Sequence, residues 1–274
     1  MLRDITIGQY FPGNSLIHKA DPRMKIVLSF LYIAVIFCAK NVFCYLAVLC
    51  SAFLLVWVSG ISFRVILKGI KPVLFVLLFT MLMNVFFTQG ETVLFSFWKI
   101  TVYVEGVYRA VFMALRVVAL IVGTGIFLTY TTSPIVLTDA IESLLSPLKK
   151  IKVPVHDFAM MMTIALRFIP TLINETDKIM NAQKARGADF SNGSLARRAK
   201  ALVPILVPLF VSAFNRAEEL ATAMECRCYR GDVGRTRYVK FRVRAADFLY
   251  LFLMLAFGAG IIIGNRYIPV GFSV

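Results

Sequence analysis

Three short runs in the second half of the chain carry residues suited to gripping a partner: Ala185-Arg186-Gly187, Cys226-Arg227-Cys228 and, directly after, Tyr229-Arg230-Gly231. An arginine guanidinium is a planar, permanently charged fork that pairs with a carboxylate through two parallel hydrogen bonds. Small neighbours such as Ala185, Gly187, Cys226 and Cys228 open the backbone around it to close approach. The same pattern also suits a helix that merely stops there, because a cation is favoured at the negative end of the helix dipole and glycine closes a last turn. Both alternatives remain open on the residues, although recurrence at the ends of two consecutive long helical patterns favours a shared role.

Other chemistry is absent from the pattern. The chain has no Gly-Lys dipeptide, so it lacks a phosphate-binding loop that ends in Gly-Lys followed by Ser or Thr. Its two histidines, His18 and His156, stand apart from any cysteine or carboxylate spacing of metal-site type. Of five cysteines, Cys38, Cys44 and Cys50 sit in apolar runs, and all five are read as reduced thiols. Cys226 and Cys228 could form a reactive pair beside the arginines, but small residues at a helix end is the plainer reading. No catalytic constellation, metal or resident cofactor is expected, nor a removable leader in the mostly polar first 25 residues.

The elements that must position these arginines follow from composition. Apolar residues make up 59% of the 274, and mean hydropathy is +0.78, well above a soluble domain with roughly 45 to 50% apolar residues. Yet the net charge is +15, and 18 of the 30 Lys and Arg lie between Ser133 and Ala245. Crossing a bilayer takes roughly 20 apolar helical residues, about 17 at the least. Ile26 to Ala39 and Val42 to Val58 flank Lys40-Asn41 and predict two spans, the first completed by Met24 and a snorkelling Lys25. A third is expected from Pro72 to about Thr88 and a fourth from about Val107 to Thr129, whose Arg109 and Arg116 should face the protein interior. Between them Glu91 to Glu105 alternates polar and apolar residues, as in a short hairpin. The last span runs from Ala245 to Gly264, with Gly258, Gly260 and Gly264 permitting close packing.

The positive-inside bias places the N-terminus, the Gly60 to Lys71 loop and the Ser133 to Ala245 region in the cytoplasm, leaving only Lys40, Lys99 and Arg266 outside. The expected protein is an all-α polytopic membrane protein with about five transmembrane helices, its N-terminus inside and C-terminus outside. Residues 1–132 form an N-terminal transmembrane region, 133–240 a cytoplasmic domain and 241–274 a C-terminal transmembrane helix. In the cytoplasmic domain, Val155 to Arg186 shows an apolar stripe at helical spacing that includes Met161, Met162, Phe168, Ile169 and Leu172. Pro170 removes one of its backbone hydrogen bonds and should bend it. After a break at Asp189 to Gly193, Ser194 is an expected N-cap for a second helix to about Cys228, carrying Val203, Leu206, Val207, Phe210, Val211 and Phe214. The uncharged run Ala201 to Phe214 has only 14 residues and is expected not to cross. Two such helices have too little surrounding sequence to cover both stripes, so part of that surface is an interface.

At this point the residues resemble a known family. Gly8-Gln9-Tyr10-Phe11-Pro12-Gly13-Asn14-Ser15, then His18 and Asp21-Pro22-Arg23-Met24-Lys25, are similar to the opening of EcfT, the transmembrane coupling component of energy-coupling-factor (ECF) transporters. Leu166-Arg167-Phe168-Ile169-Pro170, Ala182-Gln183-Lys184-Ala185-Arg186-Gly187, Arg216-Ala217-Glu218-Glu219-Leu220 through Met224-Glu225, and Arg235-Thr236-Arg237 continue the match in order.

The resemblance implies a scaffold in an importer of vitamins or similar micronutrients. Its partners would be two cytoplasmic ATPases of the EcfA and EcfA' type, which bind the ATP and Mg, a small membrane-embedded substrate-binding S component, and membrane lipid; nucleic acid is not among them. The long coupling helices would cross and dock their arginine ends in grooves of the ATPases. Ala185-Arg186-Gly187 would be the first docking motif. Cys226-Arg227-Cys228 would be the second, a departure from Ala-Arg-Gly, with Arg230 and Gly231 just beyond. Met161, Met162, Phe168, Pro170, Val207, Phe210 and Phe214 would hold the S component. The rival expectation is a stand-alone channel or secondary transporter, which would call for carboxylates or broken helices at mid-membrane.

Overall fold

A computed structural model describes residues 10–88, 90, 92–97, 100–188, 190, 194–231 and 241–267. Gly8, Gln9, Gln89, Glu91, Lys99, Asp189, the 191–193 part of the expected break and the Arg235-Thr236-Arg237 run lie outside them. Within the described residues, 10–140 with 241–267 form one compact unit and 141–231 another.

In the first unit, α1 spans Pro22–Cys38 and starts where its chemistry dictates. Pro22 at the first helical position has its φ preset, and the Asp21 carboxylate caps the helix by accepting from the Arg23 N–H at 2.9 Å. Lys40-Asn41 separates α1 from α2, Val42–Ser59, which Gly60 closes in the left-handed region at φ 68°. Next, α3 spans Phe63–Phe87, beginning earlier than expected: Arg64, Lys68 and Lys71 lie inside the helix, and Pro72 is internal. The expected hairpin is present as β1, Val93–Phe97, paired antiparallel with β2, Ile100–Tyr103, with an irregularity between Val93 and Phe95. Then come α4, Val104–Thr124, running on into a π-helical turn Gly125–Tyr130, and, after the second unit, α8, Ala245–Tyr267.

The core of this unit gathers around α1. Tyr32 and Ile36 of α1, Tyr45 and Val48 of α2 and Ile126 of the π turn are fully buried; α1 packs on α4, α8 and the π turn, and α4 also supports α2 and α3. Glycine permits close approach at two points around α1: a Cβ on Gly258 would meet Val35 Cγ2 at 2.9 Å, and one on Gly123 would collide with the Tyr32 ring. Gly260 faces open space and Gly264 only ordinary contact, so of the three α8 glycines Gly258 is the one that packing requires. Outward, Trp57, Phe75 and Phe87 are each more than 75% exposed, as suits side chains whose solvent is lipid.

Two expectations about cations are corrected. Lys25 does not snorkel; it is 2% exposed and its Nζ donates to the His18 carbonyl at 3.3 Å, the Thr131 carbonyl at 3.0 Å and Thr132 Oγ1 at 3.2 Å. Three oxygens replace the hydration shell, so burial is tolerated. Beside it, Asp247 accepts from the Arg244 N–H at 2.7 Å, closing the first turn of α8, and from the Asp21 N–H at 3.1 Å. This polar node ties the starts of α1 and α8 to the end of the π turn. Arg109, expected inside, is exposed, whereas Arg116 does face the protein: it donates to the Tyr45 hydroxyl and lies 5.6 Å from the rings of Phe37 and Tyr45.

In the second unit, the end of α5 (Pro134–Leu145) and a 3₁₀ stretch Ser146–Ile151 lead into α6, Val155–Ala185, and α7, Leu195–Cys226. Ser194 stands immediately before α7, at the cap position. By length and composition alone, six helical stretches among the described residues suffice to cross a membrane: α2, α3, α4 with its π turn, α6, the Lys200–Cys226 part of α7, and α8. The expected five included α1, a helix of 17 residues at the lower limit for crossing, and left out α6 and α7. Contiguous helix makes the difference in α7, because Ala201 to Phe214 sits within a helix of 32 residues. The chain is a multi-pass, all-α membrane protein.

Removing the buried cation leaves Asp21 and Asp247 without a compensating charge. Lys25→Met is expected to cost about 3 kcal/mol, read as a lowered unfolding temperature in detergent; an unchanged temperature would refute the structural role of the node.

Candidate functional site

The expected docking residues stand at the C-terminal ends of α6 and α7, and both ends are built alike. In α6, Ala185 is the last helical residue and Arg186 the cap, followed by Gly187 at φ 90°. The Gly187 N–H donates to the Lys184 carbonyl at 3.0 Å and the Ala188 N–H to the Gln183 carbonyl at 3.0 Å, the paired bonds of a Schellman turn. In α7, Cys226 is last, Arg227 is the cap and Cys228 follows at φ 56°. The Cys228 N–H donates to the Glu225 carbonyl at 2.8 Å and the Tyr229 N–H to the Met224 carbonyl at 3.0 Å. Position by position, Arg227 is therefore the counterpart of Arg186, and Cys228 that of Gly187.

Backbone capping thus accounts for the fold of both motifs but not for their arginines. Arg186, Arg227 and Arg230 are exposed, and none of their guanidinium groups has a hydrogen-bond or ion-pair partner among the described residues. Ala185, Gly187, Cys226 and Cys228 are exposed beside them, while Gly231, at φ 72°, is half-buried. A non-glycine residue in the left-handed region costs roughly 1 to 2 kcal/mol. Cys228 carries that strain where its twin uses glycine.

Glu175 links the two helices, a role the sequence reading missed. It accepts from Ser212 Oγ at 2.7 Å and from Arg216 Nη2 at 2.9 Å, a polar clamp about midway along α7. Ile205, 3% exposed, continues the same inward face of α7, and Leu209 between them is half-buried. The signal was present: Ile205, Leu209, Ser212 and Arg216 recur at helical spacing, as do Leu172, Glu175 and Ile179 on α6. The stripe expected to hold a partner is a different face. Val207, Phe210 and Phe214 are each at least 58% exposed, with the Phe210 and Phe214 rings packed edge to face at 4.7 Å. Met161, Met162 and Pro170 are exposed on α6, whereas Phe168 is half-buried. Both helices run on through their prolines, Pro170 in α6 and Pro204 and Pro208 in α7.

Among the described residues no group of three or more His, Cys, Asp or Glu is arranged to hold a metal ion. His156 lies 3.1 Å from Glu142, and His18 bridges Ser15 Oγ at 2.6 Å and the Phe11 carbonyl at 3.0 Å, both structural contacts. What the arrangement offers is recognition: two rigid helix ends, each presenting an unengaged guanidinium, on helices joined by a clamp.

Comparison with known proteins bears on what such an arrangement serves. The family model for CbiQ, described as cobalt transport protein, matches residues 13–238. The chain is 53% identical over 263 residues, 96% of it and 98% of the relative, to the energy-coupling factor transporter transmembrane protein EcfT of Ruminiclostridium cellulolyticum. It is 54% identical over 250 residues, 91% and 92% of the two chains, to the protein of the same name from Clostridium kluyveri. To the protein of that name from Bacillus subtilis it is 49% identical over 240 residues, 88% and 90% of the two chains.

The twin turns make a local test. Cys228→Gly should stabilise the end of α7 by about 1 kcal/mol, and Gly187→Ala should destabilise the end of α6 by a similar amount. Amide hydrogen exchange at residues 224–229 and 183–188 reads both; equal protection in mutant and parent would contradict the assigned turn geometry.

Proposed function

This chain belongs to the CbiQ family, as the transmembrane component of an energy-coupling-factor transporter, and from that premise we propose that it is a non-catalytic coupling scaffold. Two cytoplasmic ATPases of the EcfA and EcfA' type bind ATP and Mg, and a membrane-embedded S component carries the vitamin or other micronutrient. The N-terminus lies inside and the C-terminus outside, as the cation distribution favours. Nucleic acid plays no part.

Coupling is mechanical. Arg186, with Ala185 and Gly187, docks on one ATPase, and Arg227, with Cys226 and Cys228, on the other; Arg230 and Gly231 flank the second contact. ATP-driven closure of the ATPase pair brings the two ends together. The long helices cross and, held by Glu175, carry that displacement to Met161, Met162, Phe168, Pro170, Val207, Phe210 and Phe214, against which the S component rests and then topples or is released. The observation that carries this reading is the pair of matching Schellman ends, each with an exposed arginine at the cap and no partner for it among the described residues. The match also favours Arg227 over Arg230 as the principal second contact. A stand-alone channel is less favoured, since the buried carboxylates Asp21 and Asp247 lie at helix starts and are engaged with backbone N–H groups.

Reversing both charges tests the docking. Arg186→Glu combined with Arg227→Glu is expected to reduce copurifying ATPases about tenfold or more, since each replacement sets a like charge against a carboxylate. Undiminished copurification and uptake would sink the assignment. A subtler change separates coupling from docking: Glu175→Ala should leave the ATPases bound while lowering uptake per ATP hydrolysed, and an unchanged ratio would remove Glu175 from the lever.

A further inference from the structure

One exposed surface belongs to neither arginine end. Ile141, Leu144, Leu145 and Leu148 recur at i, i+3, i+4 and i+7 from α5 into the 3₁₀ stretch, and each of them is exposed. A 3₁₀ helix repeats every three residues, so Ile151, 76% exposed, continues the same line. Away from this stripe the segment faces its own chain: Glu142 and Ser143 are half-buried, and the Glu142 carboxylate lies 3.1 Å from His156 at the start of α6.

Three lysines border the far end of the stripe, with no carboxylate between Ser146 and Val153. Lys150 and Lys152 are exposed and their ammonium groups have no partner among the described residues, while Lys149 is half-buried and engaged. Lys152 stands at φ 62°, in a turn whose Lys152 and Val153 N–H groups donate to the Lys149 carbonyl at 3.1 Å and the Leu148 carbonyl at 3.4 Å. Glycine adopts that conformation most easily, so the turn holds a cation where the backbone disfavours a side chain.

The path of the chain indicates what covers the stripe. Only Thr131, Thr132 and Ser133 separate Tyr130, the end of a stretch long enough to cross the membrane, from Pro134, the start of α5. Such a link reaches about 15 Å at most, so α5 sets out from the membrane surface. An apolar stripe flanked by lysines suits a helix lying in the headgroup layer, its apolar side chains among acyl chains and its ammonium groups at phosphates.

We propose that residues 141–153 form an interfacial anchor that lies flat in the cytoplasmic leaflet and binds anionic phospholipid. Ile141, Leu144, Leu145, Leu148 and Ile151 enter the acyl region, and Lys150 and Lys152 pair with headgroup phosphates. Through the Glu142–His156 contact the anchor steadies the start of α6, a consequence that rests on the coupling reading above, whereas the lipid contact itself does not.

Spin labels at Leu144→Cys and at Ile151→Cys, one at a time in the full transporter with the native cysteines replaced by serine, read the surroundings of the stripe in nanodiscs. Oxygen concentrates among acyl chains and a neutral nickel chelate in water. In phosphatidylglycerol both labels should meet oxygen and exclude the chelate. In phosphatidylcholine, chelate access at residue 151 should rise about threefold or more, and Lys150→Gln with Lys152→Gln should produce the same rise in phosphatidylglycerol. Copurification of the ATPases, which reads the arginine ends, should be undiminished, so either reading can fail without the other. Exclusion of both reagents, the mark of cover by a protein such as the S component, would overturn the proposal. Open access of the chelate at both labels in phosphatidylglycerol would do the same, as would access indifferent either to lipid charge or to the lysine replacements.

Discussion

A carboxylate bridges the two helices on which the proposed function rests. Glu175 of α6 accepts from both Ser212 and Arg216 of α7, residues 37 and 41 positions later in the chain. Charge-assisted hydrogen bonds of this kind are directional, so they set register as well as proximity. Leu209 and Ile205 extend the same inner face of α7, and the remaining apolar stripe of Val207, Phe210 and Phe214 is left outward. The clamp thus divides each long helix into a face used within the chain and a face free for a partner. Without such a division, two amphipathic helices of 31 and 32 residues would bury their apolar sides against one another.

Fixed register gives the helix ends their meaning. Each terminates in the same pair of backbone bonds with arginine at the cap, so two guanidinium groups project from rigid turns rather than from loops. A preorganised donor loses less conformational entropy on binding than a mobile one. The left-handed conformation of Cys228 fits this view: the turn is kept although its residue is not the one that adopts it most easily.

Much of the fold was legible because lipid is an unforgiving solvent. Apolar runs separated by Lys40-Asn41 or preceded by Asp21-Pro22 leave little choice of helix, and the alternation around Phe95 and Phe97 announced the hairpin. Gly187 marked its own turn, since glycine is at home at positive φ. Cys228 did not, because nothing in a cysteine signals that conformation, and only comparison of the two ends reveals the equivalence. Lys25 misled for a related reason. A lysine near a helix start ordinarily reaches for water, and its burial depends on Thr131 and Thr132, more than 100 residues away. The tally of helices long and apolar enough to cross grew where proline-containing stretches of α6 and α7 stayed helical, so that runs too short by themselves became parts of long helices. Glu175 is the remaining case: a polar residue on an apolar face reads as a defect until its partners on another helix are known.

The most direct test of coupling is the separation of the two helix ends during the ATP cycle. Spin labels at Asn181→Cys in α6 and Ala221→Cys in α7, both exposed and outside the docking motifs, with the native cysteines replaced by serine, report that distance in the assembled transporter. If the arginine-capped ends are levers moved by the ATPases, a nonhydrolysable ATP analogue should shift the whole distance distribution shorter by several ångström relative to the nucleotide-free complex. An identical distribution in both states, in a transporter that still binds the analogue, would contradict the lever.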